Sequence, residues 1–336
     1  MPMIPLINTG NLAMCLQMNN MVETIYLHYP IQNLPTPERQ VVTMGFFDGV
    51  HLGHQAVIRQ AKATATRLGL PLAVLTYDPH PVIVFKALTS PLHYLTPIDQ
   101  KIAAFEALGV DRVYVMRFTS QLAQLPPQQF VDDVLMALQP AAVVAGFDHL
   151  YGSHEETANM QALPLYAANR FEVITVPAFE EAAQKVGSSG IRRALDAGDM
   201  TTVNRQLGRV HQTTGMVVHG EARGRELGFP TANIQTPELE WLPGIGIYAV
   251  GIQIAGTWYQ GMASIGRNVT FGDARPITVE INILDFKQAI YGEAVTVAWH
   301  HYLRGEVKFT TVPDLIDQLK QDEQATRRYF ETLNTR

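Results

Sequence analysis

The chain reads as two domains of different class: a doubly wound parallel α/β domain, then an antiparallel β domain. Three observations predict this. The 336 residues exceed a single ordinary domain of about 100–200 residues. From residue 41 to about 200, apolar strand-like runs alternate with helical patterns, the rhythm of right-handed βαβ crossovers. After about residue 205, short strands follow one another through turns rich in Gly, Pro and Asp, the rhythm of an antiparallel barrel or sandwich. The expected division is a leader at 1–20, a first domain at 21–205 and a second at 206–336. The leader is rich in Asn and Met and has no clear period. It is either a poorly ordered segment or lies upstream of a true start at Met21.

In the first domain, VVTMGFF (41–47) predicts a strand. Residues 55–68 keep Ala56, Val57, Ala61, Ala65 and Leu68 at helical spacing, and Gly69 stops that helix. Strands are expected at 72–76, 112–116, 141–145 and 171–176. Helices are expected at 98–108, ending at Gly109, at 128–138 after Pro126-Pro127, and at 157–169. In the second domain, strands are expected at 215–218, 246–254, 257–265, 278–284 and 294–299. In VEINIL, Val279, Ile281 and Ile283 share one face and Glu280, Asn282 and Leu284 the other. Residues 314–332 return to helical spacing, as a helix packed on the barrel.

Composition excludes several function classes. Hydrophobic residues make up 47 % and charged residues 17 %, so two packed cores are affordable and long charged tails are not expected. A net charge of −6 argues against a general nucleic-acid binder. No apolar run reaches the ~18 residues of a membrane span. The first basic residue is Arg39, so a signal peptide's positive start is missing. The single cysteine, Cys15, rules out an internal disulfide and a Cys-rich metal site. It fits a reducing compartment, and the cytoplasm is the expected location. No oligomeric state is implied.

GFFDGVHLGH (45–54) falls between the first strand and the first helix, where free backbone N–H groups and a helix dipole favour phosphate. His51 and His54 bracket Gly53, which admits a phosphate close to the backbone. Imidazole N–H groups aimed at a reacting phosphorus stabilise charge on its oxygens. Two ordinary surface or capping histidines are the competing reading of an isolated HxGH, and the strand–loop–helix setting favours the phosphate site. TYDPHP (76–81), GFDHLYG (146–152) and KVGSSGIRR (185–193) also fall where strands should end. Each alone is ordinary turn or capping chemistry. Together they bring Ser188, Ser189 and Arg192 to the histidines' edge as a polyphosphate cradle. Neither GxxxxGK[ST] nor GxGxxG is present.

GEARGRELGFPTANI (220–234) is the densest motif of the second domain. Pro230 fixes the turn that presents Thr231 and Asn233 on one side, two residues apart. A hydroxyl and an amide oxygen suit Mg²⁺ or its water shell. Glu280 is placed to accept a proton from a substrate hydroxyl. From chemistry alone, a solvated Glu280 and a simple PTAN turn have a slight edge.

The ordered set of motifs changes that balance. From about Met21 to the C-terminus the chain resembles the prokaryotic bifunctional riboflavin kinase/FAD synthetases. GFFDGVHLGH resembles the HxGH signature of their Rossmann-like nucleotidyltransferase module. YDPHP, GFDHLYG and GSSGIR resemble that module's later motifs. GRELGFPTAN, GIYA, VEINILDF, YG and LRGEVKF resemble the β-barrel riboflavin kinase module, which a C-terminal helix completes.

The resemblance implies two reactions. ATP phosphorylates riboflavin to FMN, and a second ATP adenylylates FMN to FAD with release of pyrophosphate. Riboflavin, FMN, FAD and ATP are the expected ligands, with Mg²⁺ in both steps; no nucleic acid or membrane partner is expected. His51 and His54 are expected at the ATP phosphates, and Ser188, Ser189 and Arg192 on the triphosphate. Asp148 is expected near the flavin or nucleotide. Thr231 and Asn233 are expected to organise Mg-ATP, with Thr231 on the metal and Glu280 as general base. Gly45, Phe47, Asp48 and Gly53, and Gly224, Arg225, Gly228 and Pro230, complete the expected contacts. Several positions depart from the family's usual pattern. Gly187 stands for a serine, Ser189 for a threonine, Asp148 for a frequent Asn, and Ser264, Asn268 and Val269 for Asn, Arg and Pro. None removes a central catalytic group. Three readings compete with this one: another HxGH nucleotidyltransferase, a non-catalytic flavin or nucleotide sensor, and a chain with one active module.

Overall fold

The computed structural model describes residues 22–335 apart from 89–90, 154–155, 182–183, 221–222 and 268–276. The leader at 1–20 and the departures at Asn268 and Val269 lie outside the described residues.

The first domain is a six-stranded parallel sheet in the order β1-β4-β3-β2-β5-β6. Its strands are β1 (Glu23–Leu27), β2 (Gln40–Met44), β3 (Leu72–Asp78), β4 (Arg112–Arg117), β5 (Pro140–Gly146) and β6 (Glu172–Val176). Both faces are covered, so the strands are apolar on both sides. Val42, Leu75, Tyr114 and Val143 pack into one buried cluster with Leu122, Phe130 and Leu138. Their neighbours Val41, Val74, Val113 and Val144 pack into another with Ile58, Ala61 and Phe105. The helix Leu52–Leu68 supplies Ile58 and Ala61 and ends at Gly69, which is left-handed at φ 67.

Two expectations need correction. The helix expected at 157–169 is only Leu163–Ala167. The Asn159 side chain accepts from the N–H groups of Gln161 and Ala162, which makes a turn instead, and Pro164 starts the short helix. Strand β1 was missed: it lies at the sheet's edge and pairs only with β4. The helix expected at 128–138 forms, with a changing pitch through Pro127–Phe130, Val131–Leu135 and Met136–Leu138.

A two-stranded hairpin follows, β7 (Glu180–Glu181) with β8 (Gln184–Lys185). The helices Ser188–Asp196 and Met200–Leu207 then lead to the second domain. That domain is a closed barrel in the order β10-β13-β12-β11-β14-β9. Its strands are β9 (His211–Val218), β10 (Ala232–Gln235), β11 (Gly246–Ile254), β12 (Thr257–Gly266), β13 (Thr278–Ile283) and β14 (Ala294–Arg304). All its pairings are antiparallel.

Val279, Ile281 and Ile283 are buried inside the barrel, as their alternation predicts. Trp299 fills the same core, and its indole N–H donates to Thr213 Oγ1 at 2.8 Å. The helix Val312–Asn334 closes the chain; its buried Asp322 accepts a forked pair of hydrogen bonds from Arg304 of β14. Ile191, Leu195, Met200, Val203 and Leu207 from the connecting helices belong to the barrel's own buried cluster.

Candidate active sites

In the parallel sheet the chain reverses its direction of winding between β2 and β5. Such a switch point leaves a crevice beyond the carboxyl ends of the strands. A cleft of about 640 Å³ lies there, lined by the segments after β2, β5 and β6.

The loop after β2 coils tightly, because Phe47, Gly49 and Val50 have φ of 56, 88 and 39°. It delivers His51 to the N-cap of the first helix, where Nδ1 accepts from the His54 N–H at 3.3 Å. That bond leaves the His51 proton on Nε2. The His51 and His54 rings stack at 3.6 Å, and Phe47 meets His54 edge-on at 5.3 Å. Burial first, and the Arg209 charge second, push His51 down to about 4. Burial and then the His51 charge hold His54 well below its usual value. Both rings are therefore neutral N–H donors at physiological pH. The His54 Nδ1 is buried without a partner among the described residues.

At Gly45 and Gly53 a side chain would crowd the aromatic rings beside them and force those rings to shift. A Cβ on Gly53 would lie 3.1 Å from the His51 ring, and one on Gly45 would lie 2.7 Å from the Phe47 ring. Asp48 is buried and ties the loop together. Its carboxylate accepts from the Thr96 N–H and pairs with Arg192, and its carbonyl accepts from Ser188 Oγ at 2.9 Å.

The second helix to point at the cleft is Ser188–Asp196. Gly187 is its N-cap, and Ser188 and Ser189 line the cleft. Two helix N-termini thus converge on one space, a favourable setting for anions. Arg192 does not line it: the guanidinium is engaged by Asp48 and sits 5.4 Å from the centre of the Trp241 ring. The next residue, Arg193, lines the cleft in its place. Asp148 stands at the mouth, paired with Lys185 at 2.7 Å, so its charge is balanced locally.

Lys101 was missed. It is buried, donates to the Phe46 carbonyl at 2.8 Å, and burial lowers it to about 8. Its signal was legible, since it occupies the inward face of the helix Ile98–Ala107 together with Phe105.

The second constellation assembles across three barrel strands. Glu280 of β13 stands opposite Asn233 of β10 and, on its other side, Ser264 of β12. Thr231 Oγ1 lies 3.3 Å from Glu280 Oε2. The Asn282 amide donates to the Pro230 carbonyl at 2.8 Å and pins the PTAN segment. A side chain at Gly220 would collide with the Asn233 amide, and one at Gly224 with the Phe229 carbonyl. Gly228 turns the chain at φ 84°. Beside these groups is a pocket of about 370 Å³ lined by Arg225, Pro230, Thr231, Ile283, Phe286 and Tyr291. His219 stacks on Tyr291 at 3.8 Å. Among the described residues no cluster of three His, Cys, Asp or Glu could hold a metal ion.

Residues 34–190 match the family model described as FAD synthetase, and residues 207–330 the one described as riboflavin kinase. A Listeria monocytogenes protein named bifunctional riboflavin kinase/FMN adenylyltransferase is 48% identical over 313 residues, 93% of this chain and 99% of that one. A Bacillus subtilis protein of the same name is 38% identical over 315 residues, again 93% and 99% of the two chains. A solved structure named as a macrolide-efflux protein of Streptococcus pneumoniae shares the architecture at a TM-score of 0.82. It is 37% identical and covers 91% of this chain and 99% of its own. Among the described residues here, no helix is long and apolar enough to cross a membrane. Both halves are matched in the order in which the two clefts occur, and the chain belongs to the bifunctional riboflavin kinase/FMN adenylyltransferase family.

Proposed function

We propose that the two clefts carry the two activities of the family in this one chain. The barrel cleft phosphorylates riboflavin to FMN with ATP, and the cleft over the parallel sheet adenylylates FMN to FAD. We place the boundary between them at residues 205/206, with residues 21–205 adenylylating and residues 206–336 phosphorylating. The cytoplasm is the proposed location, supported by a single cysteine and hence no internal disulfide.

The observation that carries the kinase assignment is the row Asn233–Glu280–Ser264 with the Thr231 hydroxyl beside it. Glu280 accepts the proton of the ribityl hydroxyl as its oxygen attacks the γ-phosphorus of ATP and ADP leaves. Thr231 and Asn233 offer neutral oxygen donors next to this carboxylate. That donor set fits Mg²⁺, which takes hard oxygens and is usually shared with substrate phosphates rather than caged by protein. When bound, the ion neutralises charge on the phosphates. Arg225 offers a further cation at the pocket wall. The apolar Ile283 and Phe286 suit a flat aromatic ring.

In the other cleft a phosphate oxygen of FMN attacks the α-phosphorus of ATP, and pyrophosphate leaves. His51 and His54 donate neutral N–H groups to the phosphate oxygens as charge builds. The two helix N-termini, Ser189, Lys185 and Arg193 hold the leaving pyrophosphate. Ser188 and Arg192 act through Asp48, by fixing the loop.

Product analysis tests the assignment. Riboflavin with ATP should release ADP, and FMN with ATP should release pyrophosphate. Glu280→Ala should abolish only the first, and Ser189→Ala with Arg193→Ala should weaken only the second. ADP release that persists in Glu280→Ala would refute the kinase assignment.

A further inference from the structure

The loop that carries His51 is held from outside its own sheet. Arg209 lies between the connecting helix and β9, at the entrance to the barrel. Its guanidinium donates to the Gly49 carbonyl at 2.8 Å and to the Val50 carbonyl at 3.1 Å. These are the two residues immediately before His51. A second bridge runs alongside. Gln55 Nε2 donates to the Val50 carbonyl at 2.9 Å and to the Leu207 carbonyl at 2.8 Å. Gly208 closes the contact: it is left-handed at φ 68°, and a Cβ there would lie 2.6 Å from Leu52 Cδ2. The loop itself is strained toward positive φ at Phe47 and Val50, so it needs external partners to stay in place.

We propose that Arg209 is a positioning residue for adenylyl transfer, holding the Gly49–Val50 backbone so that His51 and His54 face the reacting phosphates. The inference rests on the assignment of those histidines to adenylyl transfer. It makes the start of the kinase half a working part of the adenylylating half. The planar fork of an arginine reaches both carbonyls at once, whereas a lysine offers a point charge on a flexible stem. Arg209 touches neither Glu280 nor the barrel pocket, so phosphorylation of riboflavin serves as an internal control in the same molecule.

The test uses the full chain with Arg209→Met and Arg209→Lys, and follows FMN to FAD and riboflavin to FMN separately. Misplacing the histidines should lower kcat for adenylyl transfer by at least about tenfold in Arg209→Met. KM for ATP and FMN, and the kinase rate, should stay near wild type. Arg209→Lys, which keeps the charge and the fold, should recover part of the lost kcat. Wild-type adenylyl transfer in a folded Arg209→Met would overturn the proposal. So would parallel loss of both activities, which would mark a purely structural role. If Arg209→Met does not fold, a wild-type kcat in Arg209→Lys would overturn it alone. His51→Asn runs beside them. Full adenylyl transfer in that variant would overturn the histidine assignment itself, a failure distinct from that of Arg209.

Discussion

Thr231 Oγ1 stands 3.3 Å from Glu280 Oε2, although the two residues are 49 apart in sequence. The barrel makes this contact by pairing β10 with β13, which sets Asn233 directly opposite Glu280. Loss of the carboxylate should therefore remove the proposed proton acceptor without disturbing the strands. Glu280→Gln should lower kinase kcat by about 10²-fold or more. Thr231→Val should cost about tenfold, the scale of one lost hydrogen bond to a charged group. Adenylyl transfer should be unchanged in both. Steady-state assays on riboflavin and on FMN check this.

Both histidines of the adenylyl cleft sit in surroundings that disfavour their charged form, and this gives a pH signature. Burial pushes His51 to about 4 and holds His54 well below its usual value. NMR titration of their ring protons should show no protonation between about pH 8 and 5. The same shift bears on stability. The unfolded chain takes up protons near pH 6.5, and the folded chain resists them. The contribution is whole above about 6.5 and is lost as pH falls toward about 4. His149 and His211 are also pushed to about 4 by burial and act in the same direction. Thermal unfolding followed across that range should show Tm falling.

The pair of Arg192 with the buried Asp48 should be costly to break from one side. Arg192→Met removes the ion-pair partner of a carboxylate whose side chain is only 2% exposed, leaving it the Thr96 N–H and the more distant charge of Lys101. The expected loss is about 3–5 kcal/mol. Combining it with Asp48→Asn should recover much of that loss, since the stranded charge is gone. Denaturant unfolding of the two single variants and the double variant measures the coupling.

Lys185 and Asp148 pair with both side chains about half exposed. An exposed pair contributes about 0–1 kcal/mol, so Lys185→Ala should barely move Tm. If Lys185 and Arg193 hold the triphosphate, however, Lys185→Ala and Arg193→Ala should each raise KM for ATP in adenylyl transfer by about tenfold. The kinase KM for ATP should not change. Higher salt should weaken ATP binding in the wild type more than in these variants.

Much of this was legible in the sequence because period and punctuation are local. Most strands of both domains show as apolar runs or as alternation, though the edge strand β1 does not, and Gly69 marks a helix end by its left-handed backbone. The Val279, Ile281, Ile283 face is buried as its spacing requires. Tertiary choices were not legible. Ile191 and Leu195 fix the inward face of their helix, but adjacent arginines diverge from it: Arg192 turns to Asp48 and Arg193 to the cleft. The row from Asn233 through Glu280 to Ser264 depends on strand register, which a single sequence does not print. It does give the Ser264 departure a physical location, directly beside the proposed base. The short turn at Asn159 looked helical because Met160, Leu163 and Ala167 keep helical spacing, and all three are buried.

The most direct test of the central claim is a single time course. The purified chain is incubated with riboflavin, ATP and Mg²⁺, and the flavins are separated chromatographically as they form. FMN should rise first and then give way to FAD. His54→Ala should stop at FMN, and Glu280→Ala should leave riboflavin untouched yet convert added FMN to FAD. Riboflavin that stays unchanged with folded wild-type protein, or FAD formed at the wild-type rate by His54→Ala, would contradict the account.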